Sequence, residues 1–195
     1  VSRADKKAKF TEQKSRKAST MFLIGVGVII VAAVGFFALR KPQGIEGTVN
    51  VGATDYTNQS IEMTEIKPEI TDTKVVVNMD DIKNNKIVTF NVPGISFTLN
   101  NGTPFNYLPL VAYVSPQGNV VLARSLCEPC SGTRFHIEGE ELVCNACGTR
   151  WSLENLQGIS GGCPEYPPET VKYQADGNKM VIDMQVLKNW QPRPI

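Results

Sequence analysis

Four cysteines in two matched pairs, Cys127-x-x-Cys130 and Cys144-x-x-Cys147, stand 13 residues apart, and thiols at that spacing hold metal. A CxxC segment folds into a tight knuckle with both sulfurs on one side, and a β-hairpin between two knuckles brings four thiolates into a tetrahedron suited to zinc or iron. The two halves echo each other. Gly132-Thr133-Arg134-Phe135 follows the first pair and Gly148-Thr149-Arg150-Trp151 the second. A glycine behind the second sulfur lets the backbone take a positive φ and aim amide N–H groups at the thiolates, while the aromatic walls the site from water.

Three chemistries compete for Cys127, Cys130, Cys144 and Cys147. In the first they hold redox-active iron, as one ion or a small iron–sulfur cluster, and the domain passes electrons. In the second they hold zinc as a structural staple, and the domain binds a membrane or extracytoplasmic partner elsewhere on its surface. In the third they are disulfides or redox-active dithiols, as an oxidising compartment allows; the matched knuckles and the lack of a βαβ pattern around either CxxC weigh against it.

A fifth cysteine, Cys163, follows Gly161-Gly162 and precedes Pro164. The flexible glycine pair and the stiff exit place its loop over the metal site, where it serves as a ligand, a resolving thiol, a contact to a second chain, or simply a buried small residue. His136 is the one histidine; it is either a ligand or proton-coupled group, or a strand residue turned to water. Arg134 and Arg150 either set positive charge beside the thiolates or solvate a hairpin. Phe135 and Trp151 read as core residues flanking the site.

The elements around this site follow from pattern. Residues 21–39 are an uncharged, apolar run, at about 1.5 Å per residue long enough for a hydrocarbon core of about 30 Å. Seven basic against two acidic residues before it give residues 1–20 a net charge of +5, so the positive-inside rule predicts a single-pass anchor with a cytoplasmic N-terminal tail and everything from Pro42 onward extracytoplasmic. The bland alternative is a cleaved signal peptide, against which stand the length of the apolar core and the lack of an A-x-A site. Residues 42–195 carry 11 basic and 17 acidic side chains, a net −6, which gives no footing to a nucleic-acid partner; the basic tail suits anionic lipid headgroups.

Residues 40–73, rich in Gly, Thr and Asn with scattered apolar positions, read as a tether, in which 47–52 has the look of an edge strand. From Lys74 to Ile195 short apolar runs alternate with turn signals, and strands are predicted over 75–77, 87–92, 95–99, 108–114, 119–123, 171–174 and 180–184. Only 81–84 and 153–157 hint at helical turns. No G-x-S-x-G, P-loop, H-E-x-x-H or dinucleotide fingerprint occurs, so an electron-transfer or accessory protein fits better than a hydrolytic enzyme.

The strings YVSPQGNVVLARSLCEPC (113–130) and VCNACGTRWSLENLQGISGGCP (143–164) resemble a family of bacterial and archaeal membrane proteins of unknown function that are described as iron–sulfur containing. The resemblance runs from Lys74 to Ile182, and its specific part is the paired CxxC with the distal Gly161-Gly162-Cys163. It implies an extracytoplasmic electron-transfer or metal-handling role beside a membrane permease or redox partner, in iron uptake. In the first motif Glu128 and Pro129 fill the gap and the aromatic is displaced to Phe135. A fainter similarity runs to Rieske domains, whose two-Cys, two-His centre a chain with a single histidine cannot build. The expected fold is mainly β, a small Rieske-like or rubredoxin- or zinc-ribbon-like domain with two CxxC knuckles, preceded by one transmembrane helix.

Overall fold

The computed structural model describes residues 48–195. The basic tail and the membrane span expected over 1–20 and 21–39 lie outside them; among the described residues no helix is long and apolar enough to cross a membrane.

The described chain is mainly β, as the short apolar runs predict. Strand β5 (Lys74–Asn78) leads into a two-turn helix, α1 (Met79–Asn85). Asn78 caps it by accepting the N–H of Asp80 at 3.0 Å, and Met79 and Ile82 are its buried residues. Three antiparallel strands then form the centre: β6 (Ile87–Thr98), β7 (Pro104–Val114) and β8 (Asn119–Arg124). The two strands expected over 87–92 and 95–99 are one bent strand. Its register with β7 shifts between Pro93 and Phe97, because Pro93 lacks the N–H that a regular ladder needs and Gly94 turns with φ +76°.

The central strands are buried on both faces, which explains the unbroken apolar run Leu108–Val114. Leu110, Ala112 and Val114 face one core with Phe90, Val75, Met180 and Trp190; Val111 and Tyr113 face a second core with Val121, Phe135, Ile137, Leu142 and Trp151. Burying each large apolar side chain fully contributes about 1.5–3 kcal/mol. The second core carries the cysteines.

Residues 48–73, where composition suggests a tether, supply four short strands to three different sheets. These are β1 (Val49–Asn50), β2 (Ser60–Glu62), β3 (Thr64–Glu65) and β4 (Glu69–Ile70). The central sheet runs β1-β8-β7-β6-β3, with β3 parallel to β6. Such two- and three-residue edges show no hydrophobic period, because they contribute backbone hydrogen bonds more than buried side chains. Between β1 and β2 the loop residue Tyr56 does anchor the segment; it is fully buried and its hydroxyl donates to the Val114 carbonyl at 2.7 Å.

On one side of the central sheet lies a four-stranded sheet that includes β5, β4, β13 (Gln174–Asp176) and β14 (Lys179–Asp183). The predicted hairpin is present, but its first strand begins at Gln174, where the expected 171–174 would end, and its second stops at Asp183. That carboxylate caps α2 (Met184–Lys188) by accepting from the Gln185 N–H at 2.8 Å, so Met184 begins a helix rather than ending a strand. The other sheet is made by β9 (Phe135–Glu138), β10 (Glu141–Cys144), β11 (Arg150–Ser152) and β12 (Gly158–Ser160), with β2 on its edge beside β9. Residues 153–155 make a turn rather than a helix.

Candidate metal centre

The first knuckle leaves the end of β8 and closes on itself, with the Cys127 N–H donating to the Gly132 carbonyl at 2.8 Å. The second begins on the last residue of β10. There the Cys144 N–H donates to the Thr149 carbonyl and the Gly148 N–H to the Cys144 carbonyl, both at 2.9 Å. Hairpin β9–β10 sets the two knuckles side by side, as the 13-residue spacing predicts, with Cys144 opposite Phe135 in register.

The sulfurs of Cys127, Cys130, Cys147 and Cys163 all lie within 4.8 Å of one another. Cys144 brings a fifth thiol, 3.8 Å from the Cys130 sulfur. Cys163, which the sequence places near the site with its role open, is therefore among the mutually closest four. Its 8% exposure puts it well inside the cradle. None of the five is joined in a disulfide.

Hydrogen bonds divide the work among them. The Cys144 thiol is lowered to about 5, chiefly because it accepts from Cys127 and also because the amides of Cys147 and Ala146 point at it. Cys127 is correspondingly raised, as the donor to Cys144 and by burial. Burial pushes Cys130 up to about 12. The Thr149 hydroxyl, fully buried, accepts from the Cys147 thiol at 3.2 Å and from the Cys163 N–H at 3.1 Å. It ties the second knuckle to the Gly161-Gly162-Cys163 loop, a part that residue type alone did not single out.

The Gly-Thr-Arg-aromatic echo holds less symmetrically than it reads. Positive φ falls on the residue directly after the second sulfur of each knuckle, Gly148 at +68° and Ser131 at +58°. Ser131 is held there by Asn101 and Thr103, at 2.7 and 3.0 Å from its hydroxyl. Gly132 answers a different demand, that of space. A Cβ on it would sit 2.8 Å from the Cys144 sulfur, 3.0 Å from the Ala146 Cβ and 3.1 Å from the Cys130 sulfur. Gly132→Ala is expected to push the knuckles apart and weaken metal binding about tenfold, each tenfold being about 1.4 kcal/mol; a chelator competition that finds unchanged affinity would show that the cradle has slack.

The aromatics sit as expected. Phe135 and Trp151 are fully buried with ring centroids 6.1 Å apart, and the Trp151 indole donates to the Pro164 carbonyl at 3.0 Å, fixing the loop just after Cys163. Arg150 does not lend the sulfurs free charge. Arg150 is taken by Glu138 at 2.5 Å and Glu141 at 2.7 Å, and Arg134 donates to the Met63 carbonyl at 3.3 Å. His136 alternates to the face opposite Phe135 and Ile137, where its partners are Asn145 at 2.8 Å and Glu138 at 3.9 Å.

Residues 96–193, half of the chain, match the family model for the membrane iron-sulfur containing protein FtrD-like. The chain belongs to the FtrD-like family. No curated protein and no solved structure matches it. The matched span of this FtrD-like protein contains all five cysteines, so the family resemblance and the sulfur cradle coincide in the same part of the fold.

The donor set fits the group that this description implies. Five thiols in one largely buried pocket, with amide N–H groups directed at one of them, are soft anionic donors suited to iron–sulfur chemistry or zinc. One tetrahedral ion with metal–sulfur bonds of about 2.3 Å needs sulfurs about 3.8 Å apart, a separation that small side-chain shifts can reach from the observed limit of 4.8 Å.

Proposed function

We propose that this chain is a membrane-anchored, extracytoplasmic iron protein whose five-cysteine cradle serves electron transfer or metal handling in support of a permease for iron uptake. The observation that carries this reading is the set of four sulfurs within 4.8 Å of one another inside the stretch that matches a membrane iron–sulfur family. Bound there, iron would supply one-electron chemistry. The chain's own contribution is the rest. Cys127, Cys130, Cys144 and Cys147 provide the knuckle ligands, and Cys163 a further sulfur on a glycine hinge. The amides of Ala146 and Cys147 favour an anionic thiolate at Cys144, while Phe135 and Trp151 exclude water behind the site. A thiol beyond the four that a tetrahedral ion uses gives the site a spare sulfur that can replace one displaced by an incoming ligand.

Zinc is the second reading, favoured by four sulfurs close enough to converge on a single tetrahedral ion. The anchor over 21–39 with its tail in the cytoplasm belongs to the proposal in either case. Metal analysis and an absorption spectrum on the 195-residue chain, purified in detergent without oxygen after iron-replete expression, separate the two. Iron with visible bands that bleach on reduction is the expected result; stoichiometric zinc in a colourless protein would make the centre structural and direct attention to the surface of the β-domain.

A further inference from the structure

Inside the first knuckle stands a carboxylate that a thiolate site does not need. Glu128, between Cys127 and Pro129, is 1% exposed, and a buried carboxylate without a partner is strongly destabilising. Its partner comes from 65 residues away. Arg193 meets it as a fork, Nε to Oε1 at 2.8 Å and Nη2 to Oε2 at 2.7 Å. The same Nη2 also donates to the Pro167 carbonyl at 2.7 Å, and the guanidinium lies 5.6 Å from the centroid of Tyr166. Tyr166 in turn donates its N–H to the Cys163 carbonyl at 3.0 Å. One side chain thus joins the knuckle of Cys127 and Cys130 to the loop of Cys163. A second pair, Arg124 with Glu169 at 3.1 Å, completes a group of two cations and two anions whose charges cancel, in which Arg124 and Glu128 are buried and Glu169 and Arg193 half-buried.

We infer that Arg193 is a positioning residue of the metal centre that acts through Glu128, cancelling a charge that would otherwise oppose metal loading. The inference rests on the metal reading above. When a divalent ion displaces protons from four thiols, the site becomes more negative, so an uncompensated carboxylate beside it disfavours loading and an uncompensated guanidinium favours it. A lysine would keep the charge but not the fork.

Cobalt(II) titration of the metal-free, reduced 195-residue chain in detergent, read by sulfur-to-cobalt charge-transfer absorption, tests this. Arg193→Gln is expected to bind about tenfold more weakly and Glu128→Gln at least as tightly as the parent. The Glu128→Gln/Arg193→Gln double variant, with a neutral amide facing the neutral partner, should return to within about threefold of the parent. Arg193→Lys should fall between the parent and Arg193→Gln. Equal weakening in both single variants and the double would mean that the pair only packs, and would overturn the inference. Should Arg193→Gln fail to fold, Glu128→Gln and the double variant still decide, because weakening in Glu128→Gln contradicts the charge argument. A parent chain that takes no cobalt at all would instead sink the metal reading, and this inference with it.

Discussion

Cys127→Ser will leave the purified chain with under a tenth of the parent's metal and no thiolate-to-metal absorption. Cys127 is fully buried, belongs to the four sulfurs within 4.8 Å of one another, and also donates to Cys144. It is the most deeply buried of those four. Serine has nearly the same shape, but its oxygen is a hard, weakly acidic donor that iron and zinc take poorly in a sulfur set. The loss in affinity should exceed about a hundredfold, the upper range for disturbing groups outside the ligand sphere. Because bound metal adds its binding free energy to folding, the thermal midpoint of the metal-loaded preparation should fall as well. The contrast lies with the two sulfurs that compete for one position. Cys144→Ser and Cys163→Ser should each retain metal at reduced affinity, and the double Cys144→Ser/Cys163→Ser should lose it. If Cys163→Ser alone matched Cys127→Ser, Cys163 would be an obligatory ligand and Cys144 the spare. Full metal retention in Cys127→Ser would remove the cradle from the proposed function.

Trp151→Ala will cost about 3–5 kcal/mol, the range for emptying a fully buried large aromatic site. The indole lies on β11 between Phe135 and the loop that carries Cys163, and its N–H satisfies the Pro164 carbonyl. Removing it opens a cavity and orphans that carbonyl in one step. The chain contains two tryptophans, and Trp190 lies in the other core. In Trp151→Ala the fluorescence of Trp190 therefore reports the first core alone. Urea unfolding followed by Trp190 emission and by far-ultraviolet circular dichroism should separate into two transitions, with the cysteine-bearing sheet melting first. A loss under about 1 kcal/mol, or a single coincident transition, would mean that the second core neither depends on Trp151 nor unfolds on its own.

Both predictions depend on a division of labour between sequence and fold. Much of the site was legible because metal chemistry is local. The pairs Cys127/Cys130 and Cys144/Cys147, the intervening hairpin and the aromatic walls follow from spacing and alternation over some 25 residues, and so does the β character of residues 87–124. The long bent strand over Ile87–Thr98 was half legible, since Pro93 and Gly94 mark an interruption but not whether the chain continues in the same sheet.

What the sequence by itself determined is the donor chemistry, a set of soft thiols in knuckles, together with a mainly β scaffold and an apolar run of membrane length at 21–39. The tertiary structure decided which thiols share a space. It brought Cys163 in among the closest four, because Gly161 packs its backbone against Thr149, where a Cβ would lie 2.6 Å from the Thr149 Cα. It turned Arg150 away to Glu138 and Glu141 and supplied Arg193 to Glu128 instead. It also drew residues 49–70 into three sheets as short edge strands. The physical reason is common to all of these. A ligand's type and its nearest neighbours are properties of adjacent residues, whereas an ion pair across 65 positions, a backbone close approach or an edge strand of two residues has no periodic signature along the chain and exists only once the sheets have packed.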